Sequence, residues 1–204
     1  MQVQARELTI NEILSGKILE SGEILTRLGI CSKNIKLTCV VIDKACVTKG
    51  LIRTALGDLT GIIVGVDFIH GKEIKVFSPF EFVGQAVRPV PNCWLFIINE
   101  VKTLDDASEV SQRYKTILEN RLKHLDYVEQ IQKVSPPEQS EEDINKISSE
   151  LKLPLSKDDI KHILTAQKTF GPINVGEIRK DCNSELKTLA TIFPTACQGG
   201  MKNV

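Results

Sequence analysis

Between Ile35 and Val101, five short apolar segments follow one another, and no helical period is long enough to interrupt them. The first, Ile35–Ile42, is rich in β-branched residues and suits a buried or half-buried strand. The phrase Ile52–Gly61 carries Gly57-Asp58 and Thr60-Gly61, pairs that read as turn residues between strands. Ile62–Phe68, Phe80–Val87 and Cys93–Ile98 complete the set. So dense a β segment is expected to close into a small barrel, because closure removes exposed edges. The expected fold is mainly β: a five-stranded OB-fold barrel with its lead-in over residues 1–102.

The charge balance limits what such a barrel can do. Lys+Arg and Asp+Glu number 26 each, so no global positive field advertises a polyanion partner. A nucleic-acid site has to be a local patch or to rely on stacking. The six cysteines (Cys31, Cys39, Cys46, Cys93, Cys182 and Cys197) form no CxxC pair and no His/Cys cluster. A bound metal is therefore not expected, and a reducing cytosol or nucleus fits best. There is no signal-peptide pattern and no apolar run near eighteen residues, so no membrane association is expected. His70, His124 and His162 stand far apart, with no P-loop, GxGxxG or HExxH motif. No catalytic residues, no enzymatic activity and no cofactor are expected.

Taken in order, Leu8–Leu14 reads as a short helix. Thr9 caps it and Glu12 is the capping-box partner. It is either a plug across one mouth of the barrel or a plain amphipathic lead-in. Residues 17–34 read as an extended lead-in that adds to the first strand. His70–Pro79 reads as a loop or minor strand. Pro89 and Pro91 are expected to rule out a regular ladder across Arg88–Asn92.

From Thr103 the period changes to that of a helix. Val110, Tyr114, Ile117, Leu118, Arg121, Leu122, Leu125 and Val128 recur at 3.6-residue spacing, predicting a helix of about 25 residues and about 37 Å. A small barrel is too short to cover it. The stripe is read as a partner-binding face in an intermolecular helical bundle, residues 103–132 forming an oligomerisation helix. The alternative is a helix folded back onto its own C-terminal segment. Ser135–Asp143 is polar, acidic and proline-containing, predicting a linker over 133–155. Three short helices follow, at 156–167, 174–181 and 184–192, the first capped by Ser156 with Asp159. They resemble a helix-turn-helix and make a small helical domain over 156–204. The last helix offers only Lys187 as a base, which favours protein over DNA as its partner.

The order of these pieces resembles the middle subunit of replication protein A, the eukaryotic single-strand DNA-binding heterotrimer. The resemblance spans about residues 8–130. It rests on the Leu8–Leu14 opening, the Asp58–Gly61 turn, Val83-Gly84, and the long helix after Ile98–Val101. It implies a nuclear single-stranded DNA-binding subunit of DNA replication and repair. Large and small OB-fold subunits would join it through a helical bundle, and repair or replication proteins would dock on the C-terminal domain, whose residues 156–192 resemble the family's partner-docking domain in a degenerate winged-helix-like form. Phe68 matches the family position of a stacking aromatic; the alternative is a core or rim hydrophobe. A second family aromatic is replaced here by Pro89 and Val90, with Trp94 as a substitute or a core residue. Phosphate contacts are expected among Lys44, Lys49, Arg53, Arg88 and Lys72. Two other readings stand beside this one: a telomere-capping OB subunit, and an OB protein-interaction subunit that has lost DNA binding.

Overall fold

The computed structural model describes residues 5–48, 50–70, 73–134 and 141–192. The lead-in holds β1 (Arg6–Glu7), α1 (Ile10–Leu14), β2 (Lys17–Ile18), β3 (Ile24–Leu25) and β4 (Cys31–Ser32). Thr9 caps α1 as its spacing to Glu12 predicts, each side chain bonding the other's backbone N–H. The amides of Ile10 and Asn11 donate to Asp58 Oδ2 at 2.7 Å and Thr60 Oγ1 at 3.0 Å. Those bonds seat α1 on a barrel turn and send Ile10 and Ile13 into the core. Residues 17–34 do not extend the first barrel strand. They form a separate three-stranded sheet, β2-β3-β4. Only β1 joins the barrel, parallel to its first strand.

The barrel strands are β5 (Ile35–Thr48), β6 (Leu51–Gly57), β7 (Ile62–Asp67), β8 (Pro79–Val90) and β9 (Cys93–Thr103). β5 pairs with β8 through its first half and with β6 through its second. β6 pairs with β7, β7 runs parallel to β9, and β9 returns antiparallel to β8. The ring β5-β6-β7-β9-β8 is closed. Alternation sends Leu37, Leu56, Ile63, Phe80, Phe82 and Phe96 inward. The segment 73–78 forms a loop with no strand, and its Ile74 is buried in the same core.

Gly84 fits where nothing larger can. A Cβ there would lie 2.1 Å from the Ile97 carbonyl oxygen and 2.9 Å from the Phe96 ring. β8 runs through Pro89 to Val90 and turns at Pro91-Asn92, and its ladder is not regular across Arg88-Pro89, as the prolines predict. A register irregularity between Val87 and Val90 absorbs the missing proline N–H.

Outside the barrel lie α2 (Ala107–Val134), α3 (Glu141–Leu151), α4 (Lys157–Phe170) and α5 (Val175–Ile192). At 28 residues, α2 is about 42 Å long. Its stripe is not left bare for an intermolecular bundle. Tyr114 and Leu118 pack with Cys182 and Leu189 of α5, and Val110 borders that cluster. Leu125, Val128 and Ile131 pack with Ile147 of α3 and Ile160, Ile163 and Leu164 of α4, with Leu122 alongside. Ile117 is buried as well. The buried Tyr114 hydroxyl donates to the Thr38 carbonyl of the barrel at 3.0 Å. Arg121 Nη2 donates to Glu12 Oε2 at 3.0 Å and to the Glu7 carbonyl. Each position expected to meet a partner thus meets this chain's own residues, which is the folded-back alternative.

The expected linker is also revised. Residues 135–140 lie outside the described residues, but 141–151 are helix α3 and contribute Ile147 to a core. The second and third expected C-terminal helices are one, because α5 continues through Ser184. Among the described residues of 156–192 there is no strand, and 193–204 lie outside them. These helices do not form a detached domain. α5 is tied to α2 by Arg179, whose guanidinium reaches Asp126 at 2.9 Å and Glu129 at 3.3 Å. α4 presses on the lead-in at Gly29, where φ is +77° and a Cβ would lie only 2.4 Å from the Ile163 Cα. Ile30 borders both the barrel core and the helical core.

Candidate nucleic-acid interface

The outer surface of β6, β7 and β9 is the face to consider, because OB barrels bind strands of nucleic acid there, between the two hairpin loops. Register places Arg53 opposite Val66 and Ala55 opposite Val64. Val64 and Val66 in turn neighbour Leu95 and Ile97. Arg53 is exposed and the apolar members of these rows are half-buried. The result is a shallow apolar strip with a cation at one end.

Phe68 follows directly on β7 and is 59% exposed, with Ile69 beside it at 78%. Burying an aromatic here would be favourable, so its exposure needs a local cause, and Asp67 provides one. The Asp67 carboxylate is fully buried and its Oδ1 accepts from the Ile69 and His70 amides at 3.3 and 3.0 Å. His70 Nδ1 lies 3.1 Å from the same oxygen. This Asx-type turn folds the chain back sharply and leaves Phe68 and Ile69 facing outward. Ile69 and the Asp67–His70 turn were not anticipated. The only local signal was an Asp three residues before a His at the end of a strand.

The remaining candidates divide into groups. Arg88 and Trp94 belong to the β8–β9 hairpin, where the Arg88 guanidinium lies 5.6 Å over the Trp94 ring. Trp94 also packs against the barrel core, so it is a rim residue with one face covered by a cation. Phe68 continues the outward parity of Val64 and Val66, whereas Trp94 shares the inward parity of Phe96 and Ile98. Phe68 marks one end of the strip, and Trp94 belongs to the barrel rim beside it. Lys44 Nζ donates to the Ile74 carbonyl at 2.8 Å and supports the loop that fills the barrel end. Lys49 and Lys72 lie outside the described residues. Among the described residues no three His, Cys, Asp or Glu side chains stand together as a metal site.

The closed five-stranded ring, with its crossover from β7 to β9, defines an OB-fold barrel carrying helices on its outside. No family model and no curated protein matches the sequence. Among solved structures, the chain is similar to one in a replication protein A heterotrimer bound to single-stranded DNA. That similarity has a TM-score of 0.46 and 18% identity over 53% of this chain and 87% of that one. It is similar to a chain of yeast replication protein A bound to single-stranded DNA, with a TM-score of 0.48 and 16% identity over 58% and 91%. A chain of the S. pombe Stn1–Ten1 complex gives a TM-score of 0.46 and 12% identity over 53% and 84%.

Proposed function

We propose that this protein binds single-stranded DNA across the β6-β7-β9 face, as an OB-fold subunit of a nuclear replication and repair assembly of the replication protein A kind. The observation that carries the reading is Phe68, held outward by Asp67 at the end of the apolar strip. Bases stack on such a ring with about 1–3 kcal/mol each and little sequence preference. Arg53 at the same end and Arg88 at the other neutralise phosphates. With so few cations the salt dependence is shallow, each phosphate contact adding about 0.7 to the slope for a single strand. OB-fold partners meet surfaces other than the α2 stripe, or meet that stripe only after α3–α5 leave it.

Fluorescence anisotropy of a labelled thirty-residue oligothymidine tests this reading. Phe68→Ala is expected to weaken binding about 5- to 150-fold, the equivalent of 1–3 kcal/mol, without changing the melting temperature. Arg53→Ala lowers the salt slope. Equal binding by the wild type and Phe68→Ala would remove the proposal.

A second reading, an interaction subunit that has lost DNA binding, is favoured by the engagement of Lys44 with Ile74 and of Arg88 with Trp94. It predicts no binding by the wild type.

A further inference from the structure

A groove of about 560 Å³ opens between the β6–β7 turn, the start of α2 and the end of α5, away from Phe68. Four of the exposed large hydrophobic side chains converge on it: Ile42, Leu59, Ile62 and Phe77, the last 81% exposed. Val110 and Leu189 form its helical wall. Phe77 sits at a φ of +60°, a region that bulky residues avoid. It is held there by its amide bond to the Val41 carbonyl at 2.7 Å and by the return bond from Val41 N to the Ser78 carbonyl at 3.2 Å. A strained backbone that holds an aromatic ring in water, over an apolar groove, is the kind of outlier that marks a binding surface.

Charge selects the occupant. Asp58 and Asp106 line the groove, and among the described residues no Lys or Arg does. The Asp58 carboxylate is fixed in place by the Ile10, Thr60 and Gly61 amides. An acidic rim repels phosphate, so the groove does not continue the nucleic-acid face. We infer that it docks an amphipathic helix of a partner protein, with apolar anchors at i, i+3, i+4 and i+7 and Lys or Arg on its flanks. This is helix-in-groove recognition with complementary charge.

The test is a displayed library of eighteen-residue helical peptides, apolar at those four positions and varied among Lys, Arg, Asp, Glu and Ala elsewhere, selected on the full chain. Cationic members are expected to enrich. A synthetic winner is expected to lose at least tenfold in affinity on Phe77→Asn, on Leu59→Ser and on Asp106→Lys, and to be unaffected by Phe68→Ala. Asn accepts a positive φ, so Phe77→Asn removes the ring without endangering the fold. Oligothymidine binding is unchanged by the same variant. The inference is overturned if no peptide enriches above Phe77→Asn, or if acidic members enrich equally. It is also overturned by a dimer that Phe77→Asn dissolves, which makes a second copy the occupant. Enrichment only after removal of residues 193–204 would assign the groove to the chain's own tail.

Discussion

Arg121, in the middle of α2, grips Glu12, the residue that completes the capping box of α1. Its Nη2 lies 3.0 Å from Glu12 Oε2, and its Nε bonds Oε1 of the same carboxylate. Glu12 thus serves two helices at once, closing the first turn of α1 and anchoring α2 across the lead-in. Both side chains are largely buried, so removing one leaves the other short of a partner. Arg121→Ala is expected to cost about 2–3 kcal/mol in urea denaturation. The solvent-exposed pair Arg6–Asp159 is the control, and Arg6→Ala should cost less than about 1 kcal/mol.

The α2 stripe is covered from within, and removing its cover has a visible effect. A chain ending at residue 134 leaves Leu118, Leu125, Val128 and Ile131 bare. It is expected to associate or to recruit dye that binds apolar surface, whereas the full chain does neither. Light scattering on both chains decides. A monodisperse truncated chain would show that α3–α5 contribute little cover. In the full chain Leu125→Ala should cost about 2–5 kcal/mol, as fully buried leucines do.

His124 links stability to pH. Burial holds its imidazole below the ordinary value of 6.5, with the nearby Arg121 acting in the same direction. Its Nε2 sits 2.8 Å from the Leu28 carbonyl, an arrangement that suits the neutral ring with Nε2 protonated. Because the folded value is depressed, the unfolded chain binds the extra proton first as pH falls. The contribution is complete above about pH 6.5 and is lost as pH drops through the folded value. Denaturation midpoints measured between pH 7.5 and 5 should fall for the wild type and fall less for His124→Gln.

Two backbone positions give opposite signs. Gly84→Ala drives a methyl group against the Ile97 carbonyl and the Phe96 ring. It is expected to destabilise by about 2–3 kcal/mol or to prevent barrel closure. Phe77→Asn relaxes a positive φ at an exposed position and should stabilise by about 1 kcal/mol. Thermal melts of the two variants read both effects.

The barrel was legible because its signals are local. Short apolar, β-branched segments on either side of the Gly57–Gly61 turn name the strands, and Thr9-Glu12 and Ser156-Asp159 name two helix starts, both present as capping boxes. The long helix was legible from its stripe. What covers that stripe was not, because Tyr114 and Leu118 read the same whether Leu189 or a foreign residue lies opposite. Nor does a pattern of residue types reveal that Ser184 lets two helical segments run on as one. Phe68 could be singled out as an aromatic at a strand end. Phe77 looks no different in the chain, and its exposure comes from a backbone angle imposed by the distant Val41.

The cover over α2 also has a cost in time. A ribosome delivers the barrel and α2 before α5 exists. At about 5–20 residues per second, the stretch from the end of α2 to the end of α5 takes a few seconds to about ten seconds to appear. For that interval the nascent chain presents a folded barrel trailing an uncovered apolar helix. The newborn protein is therefore most vulnerable to capture, by a chaperone or by another apolar helix, between the appearance of α2 and that of α5. Slowing translation between α2 and α5 would lengthen that exposure without altering a single residue of the finished molecule.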